Sequence, residues 1–304
     1  MSSSAIGGGK AALRVLRLRG MSILNQLVLE EVLLRKCQQN YFVLNTDMRE
    51  EDTSIVLGFS GKIAELVDVA ALQAKPVHLV RRYTGGGTVI VDPSTLFASF
   101  IMNAKDVPSL PYPRDIMRWS ETIYGPVFDA LTSAGATSST PSAFAASMQA
   151  GPPLGGACAF AMRENDYVLG AHKIGGNAQT ITKHRWVHHT SFLWDFDPER
   201  MRYLQLPKKR PEYRRDRPHD SFLMPIRRHV ASVAALEEAL YTHLHEAFDV
   251  STVSAEDIQS EVRGLMAGCS VETVARTRLE SLQDHIDKEA AVGLVKMGTS
   301  CTNL

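Results

Sequence analysis

The chain has 304 residues, 44% of them hydrophobic and 22% charged, a mixture typical of a folded globular protein and unlike that of a disordered chain. Lysine plus arginine and aspartate plus glutamate each number 33, and this balance argues against a nucleic-acid partner, which usually requires a basic surface. No run of about 18 apolar residues occurs, so we expect neither a membrane-spanning helix nor a membrane partner.

In chain order, short β-prone runs alternate with amphipathic segments. Apolar residues at steps of three and four predict helices, here at residues 23–34, 64–74, 113–131 and 226–248. Runs rich in β-branched and aromatic residues predict strands, here at residues 13–18, 41–44, 54–57, 77–80, 88–91, 96–102, 167–169, 173–181 and 186–194. The fold class expected from this mixture is α+β, with a mixed β-sheet flanked by helices.

The start of the chain allows two interpretations. Residues 1–29 contain Lys10, Arg14, Arg17 and Arg19 and no acidic residue, a composition that resembles a mitochondrial targeting segment. A flexible tail at residues 1–12 followed by a first strand explains the same residues equally well. We expect a mitochondrial location, with a cytoplasmic one as the alternative; the low count of four cysteines fits a reducing compartment in either case.

Composition also suggests where the domain is interrupted and where it ends. Residues 133–158 contain no charged residue and consist mainly of Ala, Ser, Thr, Gly and Pro. This composition predicts a disordered insertion within one catalytic domain that spans residues 13–248. Residues 249–304 are expected to form a short helical extension, because they are too few for a second domain of about 100 residues.

The first candidate functional motif, at residues 81–89, reads Arg-Arg-Tyr-Thr-Gly-Gly-Gly-Thr-Val. It matches neither a P-loop nor a dinucleotide fingerprint. Three successive glycines leave backbone N–H groups unshielded, so the loop can close round a phosphate or a carboxylate, and the two arginines can add charge and bidentate hydrogen bonds. A glycine-rich hairpin whose arginines face water explains the spacing equally well.

The second motif surrounds Lys173, which is followed by Ile174 and two glycines. The glycines allow a ligand to lie against the backbone beside the ammonium group, and that group can offset a phosphate charge or polarise an acyl carbonyl. Asp166 lies seven residues earlier and can pair with Lys173 across a hairpin. A surface lysine on an edge strand is the alternative interpretation.

The third motif is histidine-rich, with histidines at positions 172, 184, 188 and 189. We expect no metal site, because the segment is predicted as strand and lacks His-Glu-x-x-His. Since neighbours in a strand point to opposite faces, at most one of His188 and His189 can line a given pocket.

These three blocks, in this order, resemble the lipoate–protein ligase family of the biotin/lipoate ligase superfamily. The first block reads Arg-Arg-x-Thr-Gly-Gly-Gly-x-Val at residues 81–89 and extends to Asp92. The second consists of Asn165-Asp166 followed by Lys-Ile-x-Gly-x-Ala-Gln at residues 173–179. The third is His-His-Thr-Ser at residues 188–191. The resemblance covers residues 13–248 and implies a biotin/lipoate ligase-like catalytic domain. Such a ligase uses ATP and Mg²⁺ to make lipoyl-adenylate from lipoate. It then transfers the lipoyl group to a lysine on lipoyl domains of 2-oxoacid dehydrogenases or on glycine-cleavage H-protein.

The resemblance also implies roles for single residues. Lys173 would contact the lipoyl carbonyl and the α-phosphate as a catalytic residue, and Asp166 would orient it. Binding of lipoate and adenylate is implied for Arg82, Gly85, Gly86, Gly87, Thr88, Val89, Lys173, Gly176, Asn177, Ala178 and His189. The apolar lipoyl chain is expected among sheet side chains such as those of Val89, Val91 and Phe97. The segment at residues 201–228 carries nine Lys or Arg residues and is expected either to receive an acidic lipoyl domain or to form a solvated turn.

Two departures from the family pattern leave alternatives open. Bacterial members often carry an accessory domain after the catalytic domain, so the short extension here allows an enzyme that transfers preformed lipoyl-adenylate or needs a partner. Gly175-Gly176 stand where many relatives have a serine with a glycine. A lipoyl- or octanoyl-transferase of the same superfamily is one alternative, with Cys158 as a nucleophile 15 residues before Lys173. A non-catalytic binder of lipoyl-adenylate is the other.

Overall fold

The computed structural model describes residues 9–136, 159–206, 211–267, 270 and 274–285. It confirms the α+β prediction: a mixed sheet is flanked by helices, and a second, smaller sheet lies beside it. In this part of the chain, none of the helices combines the length and the apolar character needed to cross a membrane.

The larger sheet is mixed, as predicted. In the described residues the strands are β1 (Ala12–Arg19), β2 (Tyr41–Thr46), β3 (Ser54–Leu57), β4 (His78–Arg81), β5 (Val89–Val91), β6 (Thr95–Asn103), β7 (Phe160–Arg163), β8 (Asp166–Leu169), β9 (His172–Ile181), β10 (Arg185–Leu193), β11 (Asp249–Val253) and β12 (Arg278–Leu279). The order in the larger sheet is β11-β1-β2-β6-β10-β9-β8-β7. β1 runs parallel to both β11 and β2, whereas every later pair is antiparallel.

The smaller sheet carries the glycine-rich motif, and its order is β12-β4-β3-β5. β3 is parallel to β4 and antiparallel to β5. The motif joins β4 to β5, and β3 lies between these two strands. It is therefore a connection that passes over the end of a third strand, and the interpretation as a hairpin between adjacent strands is wrong.

Helices cover both faces of the larger sheet. They are α1 (Ile23–Lys36), α2 (Ile63–Leu66), α3 (Val69–Ala74), α4 (Pro113–Ala136), α5 (Pro198–Met201), α6 (His219–Phe222), α7 (Val233–Ala247) and α8 (Ala255–Leu265). On one face, Trp119 of α4 and Leu240 of α7 pack with Phe100 and Trp186 of the sheet. On the other face, α1 and α8 pack with the side chains that alternate with these, which is the pattern of a sheet buried on both sides.

Three predicted elements differ from the observed ones. Residues 64–74 form two short helices because Asp68 interrupts the segment and caps α3, its carboxylate accepting a hydrogen bond from the Ala71 N–H. Residues 226–248 begin with a 3₁₀ turn, and α7 starts only after its N-cap Ser232. Residues 249–304 are not purely helical, because β11 extends the larger sheet beside β1 and β12 extends the smaller sheet beside β4.

Two predicted flexible segments fall largely outside the described residues. Residues 1–8 of the expected tail are not described, and β1 begins at Ala12. The expected insertion at 133–158 overlaps the end of α4, which continues to Ala136, and residues 137–158 are not described.

Candidate active site

The glycine loop, residues 82–88, exposes its three glycines to solvent. No backbone carbonyl in the described part of the chain accepts a hydrogen bond from the N–H groups of Gly85, Gly86 or Gly87. Gly86 has a φ of +98°, a conformation that favours glycine, and a Cβ there would lie 3.2 Å from the Ala178 Cβ. The loop therefore lies against β9 and offers unpaired N–H donors beside it.

Arg82 lies inside the glycine loop, with only 3% of its surface exposed. Its guanidinium donates hydrogen bonds to the carbonyl oxygens of Gly85 at 2.8 Å and Gly87 at 2.7 Å, and to Thr84 Oγ1 at 2.8 Å. Burial lowers the pKa of Arg82 to about 10, so the side chain stays charged at neutral pH. Arg82 does not face water, and in this arrangement its charge fixes the shape of the loop.

Lys173 and Asp166 form the ion pair that their spacing predicts. Lys173 Nζ lies 2.7 Å from Asp166 Oδ1, and the two side chains are 22% and 8% exposed. The pair spans the β8–β9 hairpin, in which Asp166 lies opposite Gly176. The hydroxyl of Tyr213 donates a hydrogen bond of 2.8 Å to Asp166 Oδ2. Both carboxylate oxygens are therefore engaged, while the ammonium group, with three N–H donors, retains capacity for a ligand.

The Lys173 ammonium group and the glycine loop lie over the same face of β9. A Cβ at Gly176 would lie 3.2 Å from Lys173 Nζ, and a Cβ at Gly86 would lie 3.2 Å from the Ala178 Cβ. Gly176 and Ala178 are two residues apart in one strand, so they face the same side at a spacing of about 7 Å. The loop and the lysine can therefore both contact a ligand that lies along this stretch of β9.

His189 connects the glycine loop to α1. Its Nε2 lies 3.2 Å from Thr84 Oγ1, and its Nδ1 lies 3.3 Å from Oε2 of the fully buried Glu30. Burial lowers the pKa of His189, although Glu30 acts in the opposite direction. His188 points to the other face, where its Nε2 lies 2.8 Å from the Tyr167 hydroxyl. As the strand pattern predicts, only one of the two histidines faces the loop.

The other predicted binding residues differ in how they are placed. Thr88 Oγ1 is buried, and no atom in the described residues forms a hydrogen bond with it, so its hydrogen-bonding capacity is unused. Asn177 Nδ2 donates a hydrogen bond of 2.8 Å to a carbonyl in the β7–β8 turn. Val89 packs against the cluster that contains the buried side chains of Val91 and Phe97, so the three proposed chain-binding side chains lie together.

Sequence reasoning misses three residues of this site: Glu30, Thr84 and Tyr213. The signal for Glu30 was available, because an acidic residue rarely lies among apolar residues of a buried helix without a polar partner. Thr84 belongs to the glycine motif, but its contact with His189 depends on tertiary structure. Tyr213 is 47 residues from Asp166, and no local pattern links the two.

Several predicted features cannot be placed. Cys158 is outside the described residues, and so are Lys208 and Lys209 of the basic segment at residues 201–228. Within those residues, no group of three or more His, Cys, Asp or Glu side chains is arranged to hold a metal ion. Magnesium that enters with a nucleotide is usually held by its phosphates and one or two carboxylates, so ATP binding does not require such a group.

Residues 22–249 match the sequence model of the lipoyl protein ligase A/B catalytic domain, which covers the whole site and about three quarters of the chain. The chain belongs to this family. The match confirms the family expected from the three blocks, and it ends where β11 begins.

Two kinds of relative agree with the assignment. The chain is 27% identical over 242 residues to a Plasmodium falciparum protein named inactive lipoate–protein ligase 2; the match covers 67% of this chain but only 61% of that protein. A bipartite lipoate protein ligase from Thermoplasma acidophilum, studied with its E2 lipoyl domain, has a TM-score of 0.58 at 21% identity, covering 84% of this chain and 92% of that one. Lipoate-protein ligase A bound with ATP has a TM-score of 0.57 at 20% identity, covering 85% and 95%. Both solved structures share the fold.

Proposed function

We propose that this chain attaches lipoate to a lysine of a lipoyl-domain protein through a lipoyl-adenylate formed from ATP. The observation that carries the proposal is the position of the Lys173–Asp166 ion pair and the glycine loop over one face of β9. Family membership supports lipoate as the substrate. The ATP-bound relative and the relative studied with a lipoyl domain support the nucleotide and the acceptor.

The first step of the proposed reaction activates lipoate. A carboxylate oxygen of lipoate attacks the α-phosphorus of ATP, a mixed anhydride forms, and pyrophosphate leaves. Negative charge develops on the phosphate oxygens, and the N–H groups of Gly85–Gly87 and the Lys173 ammonium group offset it. Magnesium would neutralise part of the charge on the triphosphate.

The second step transfers the lipoyl group. The neutral amine of the acceptor lysine attacks the acyl carbonyl, the amide bond forms, and AMP leaves. The Lys173 ammonium group polarises the carbonyl oxygen, and Asp166 fixes the direction of that ammonium group. This route needs no covalent bond between substrate and protein.

The apolar lipoyl chain is proposed to lie beside Val89, Val91 and Phe97; Val91 and Phe97 belong to one buried cluster, and Val89 packs against it. Alanine substitutions at these positions should raise the KM for lipoate and leave the KM for ATP nearly unchanged. An unaltered KM for lipoate in all three variants would place the chain elsewhere.

The basic segment at residues 201–228 is proposed to receive the acceptor domain. Part of its charge has structural partners, since Arg202 pairs with Glu199 and Arg227 with Asp195. If the segment receives the acceptor domain, charge reversal at Lys208 and Lys209 should raise the acceptor KM without changing lipoyl-adenylate formation. An unchanged acceptor KM would remove the docking role.

A non-catalytic binder is the second candidate function, and the relative named inactive is the observation that favours it. Such a protein would bind lipoyl-adenylate through the same loop and lysine without turnover. The transferase alternative, with Cys158 attacking an acyl thioester, predicts activity without ATP and loss of that activity in Cys158→Ala.

The deciding experiment follows the mass of an apo lipoyl domain incubated with the full chain. One sample holds lipoate, ATP and Mg²⁺, a second holds octanoyl-carrier protein without ATP, and a third holds preformed lipoyl-adenylate. The proposal requires a lipoyl mass gain in the first sample, lost in Lys173→Ala and kept in Lys183→Ala, whose lysine is exposed in the β9–β10 turn. A gain only in the second sample identifies an octanoyltransferase, and a gain only in the third identifies a transferase that does not activate lipoate. No gain in any sample favours the non-catalytic binder, which titration with lipoyl-adenylate would then test.

The mitochondrial location stays a prediction. All four cationic residues that suggested it have structural partners. Arg14 pairs with Glu261, Arg19 pairs with Asp47, the Arg17 guanidinium lies 3.6 Å from the centroid of the Tyr241 ring, and Lys10 donates a hydrogen bond to the His245 carbonyl. A fluorescent fusion of the full chain should locate to mitochondria if the prediction is correct and to the cytoplasm if the first strand alone explains these residues.

A further inference from the structure

The described C-terminal segment, residues 274–285, packs beside the candidate site although none of its side chains has a role in the proposed reaction. Its strand β12 pairs antiparallel with β4, with Arg278 opposite Arg81. The backbone N–H of Glu280 donates a hydrogen bond of 2.7 Å to a carbonyl of β4. The segment therefore covers the strand that leads directly into the glycine loop.

Glu280 contacts Arg81, and Arg81 contacts the turn on which the glycine loop rests. Arg81 Nε lies 2.9 Å from Glu280 Oε1, and the two side chains are only 12% and 19% exposed. Arg81 Nη1 donates hydrogen bonds to the carbonyl oxygens of Gly58 at 3.2 Å and Gly61 at 2.7 Å. A Cβ at Gly58 would collide with the carbonyl oxygen of Gly86, so the turn and the loop touch through their backbones.

The same segment is attached to α1. Glu31, whose side chain has no exposed surface, accepts hydrogen bonds from the backbone N–H groups of Arg276 at 2.7 Å and Thr277 at 3.2 Å. The preceding residue, Glu30, is the one that contacts His189, and His189 contacts the glycine loop. Both supports of the loop, β4 and α1, are therefore in contact with the C-terminal segment.

We propose that the C-terminal segment is part of the adenylate-forming site, with Glu280 as a positioning residue that acts through Arg81 on the glycine loop. The identity of the ligand rests on the proposed function. A guanidinium group can hold several carbonyls at once only when its plane is fixed. Glu280 accepts a hydrogen bond from Arg81 Nε, while Arg81 Nη1 donates to the turn. Without Glu280 the loop must become ordered when the ligand binds, and the conformational entropy lost in this ordering weakens binding.

The test compares three variants of the full chain with wild type. Glu280→Gln removes the charge, and Leu279→Pro disrupts β12 while leaving the carboxylate. Leu279 is 52% exposed, so its replacement removes little packing. The matched control is Asp284→Asn, an exposed acid in the same segment. Two quantities are measured: hydrogen exchange of peptides covering residues 58–61 and 82–88 without ligand, and the Kd of the non-hydrolysable sulfamoyl analogue of lipoyl-adenylate by calorimetry.

We expect faster exchange in both peptides, and binding weaker by about five-fold or more, in Glu280→Gln and Leu279→Pro. The control should behave as wild type. Unchanged exchange and affinity in both variants, with a wild-type protein that binds the analogue, would overturn the inference and leave the proposed function intact. If wild type does not bind the analogue, the proposed function fails and the assignment to an adenylate site fails with it; faster exchange would then show only the link from Glu280 to the loop.

Discussion

The hydroxyl of Tyr213 donates a 2.8 Å hydrogen bond to the Asp166 carboxylate, whose other oxygen lies 2.7 Å from Lys173 Nζ. Tyr213→Phe removes this bond without removing the ring. A hydrogen bond to a charged group contributes about 1.5–3 kcal/mol, so we expect transfer from preformed lipoyl-adenylate to slow by about ten-fold or more. The KM for lipoate should change little. Single-turnover transfer to an apo lipoyl domain measures the effect.

The matched control is Tyr203→Phe, because the Tyr203 hydroxyl donates a hydrogen bond of the same length, 2.8 Å, to the Lys75 carbonyl, outside the candidate site. Both variants lose one hydroxyl. Equal transfer rates in the two variants would mean that Tyr213 has only a structural role.

Alanine substitutions at the three glycines of the loop should differ in how much they lower the stability of the protein. Gly86→Ala places a side chain at a φ of +98° and a Cβ 2.8 Å from Arg82 Nη2, whereas a Cβ at Gly85 or Gly87 meets no atom within 4 Å. A non-glycine residue in a sparsely populated conformation costs about 1–3 kcal/mol. Denaturant unfolding should show Gly86→Ala to be less stable by roughly this amount, with Gly85→Ala and Gly87→Ala close to wild type. Equal losses in all three variants would contradict the loop geometry.

We expect that a positive charge alone at position 82 is not sufficient to hold the glycine loop in its observed shape. Lysine at this position keeps the charge but cannot donate to the Gly85 and Gly87 carbonyls and to Thr84 together. We expect Arg82→Lys to lose about 1–3 kcal/mol of unfolding free energy, the cost of leaving buried acceptors unpaired, and to slow lipoyl-adenylate formation. Pyrophosphate release reports the second effect. Arg118→Lys, at a side chain that is 72% exposed, should change neither quantity.

The sequence predicts those parts of the site that depend on local pairing. Lys173 and Asp166 meet because they lie on consecutive strands joined by a short turn, and His188 and His189 separate because strand side chains alternate. The three glycines likewise predict a loop with exposed N–H groups.

The parts that sequence reasoning misses depend on long-range contacts or on orientation. Nothing in the residues before three glycines indicates that Arg82 turns inward to the loop carbonyls. Residues 249–253 and 278–279 form strands only because β1 and β4 offer open edges to them, and both partners are distant in the chain. Tyr213 reaches Asp166 through a segment whose charge pattern suggested a docking surface or a solvated turn.

The lowered pKa of His219 predicts that the folded protein loses stability in mild acid. Burial lowers its pKa to about 4, and the nearby charges of Arg214 and Lys173 act in the same direction. The unfolded chain takes up a proton at about pH 6.5, whereas the folded chain does so only near pH 4, so the unfolding free energy falls as the pH drops from about 6.5 to 4. His188, whose pKa burial lowers to about 3, adds to this fall.

His219→Gln should therefore reduce, but not abolish, the difference between the unfolding free energies measured with denaturant at pH 7 and at pH 5. Retention of the full wild-type difference in His219→Gln would show that His219 titrates alike in the folded and unfolded chains, and the prediction would then fail.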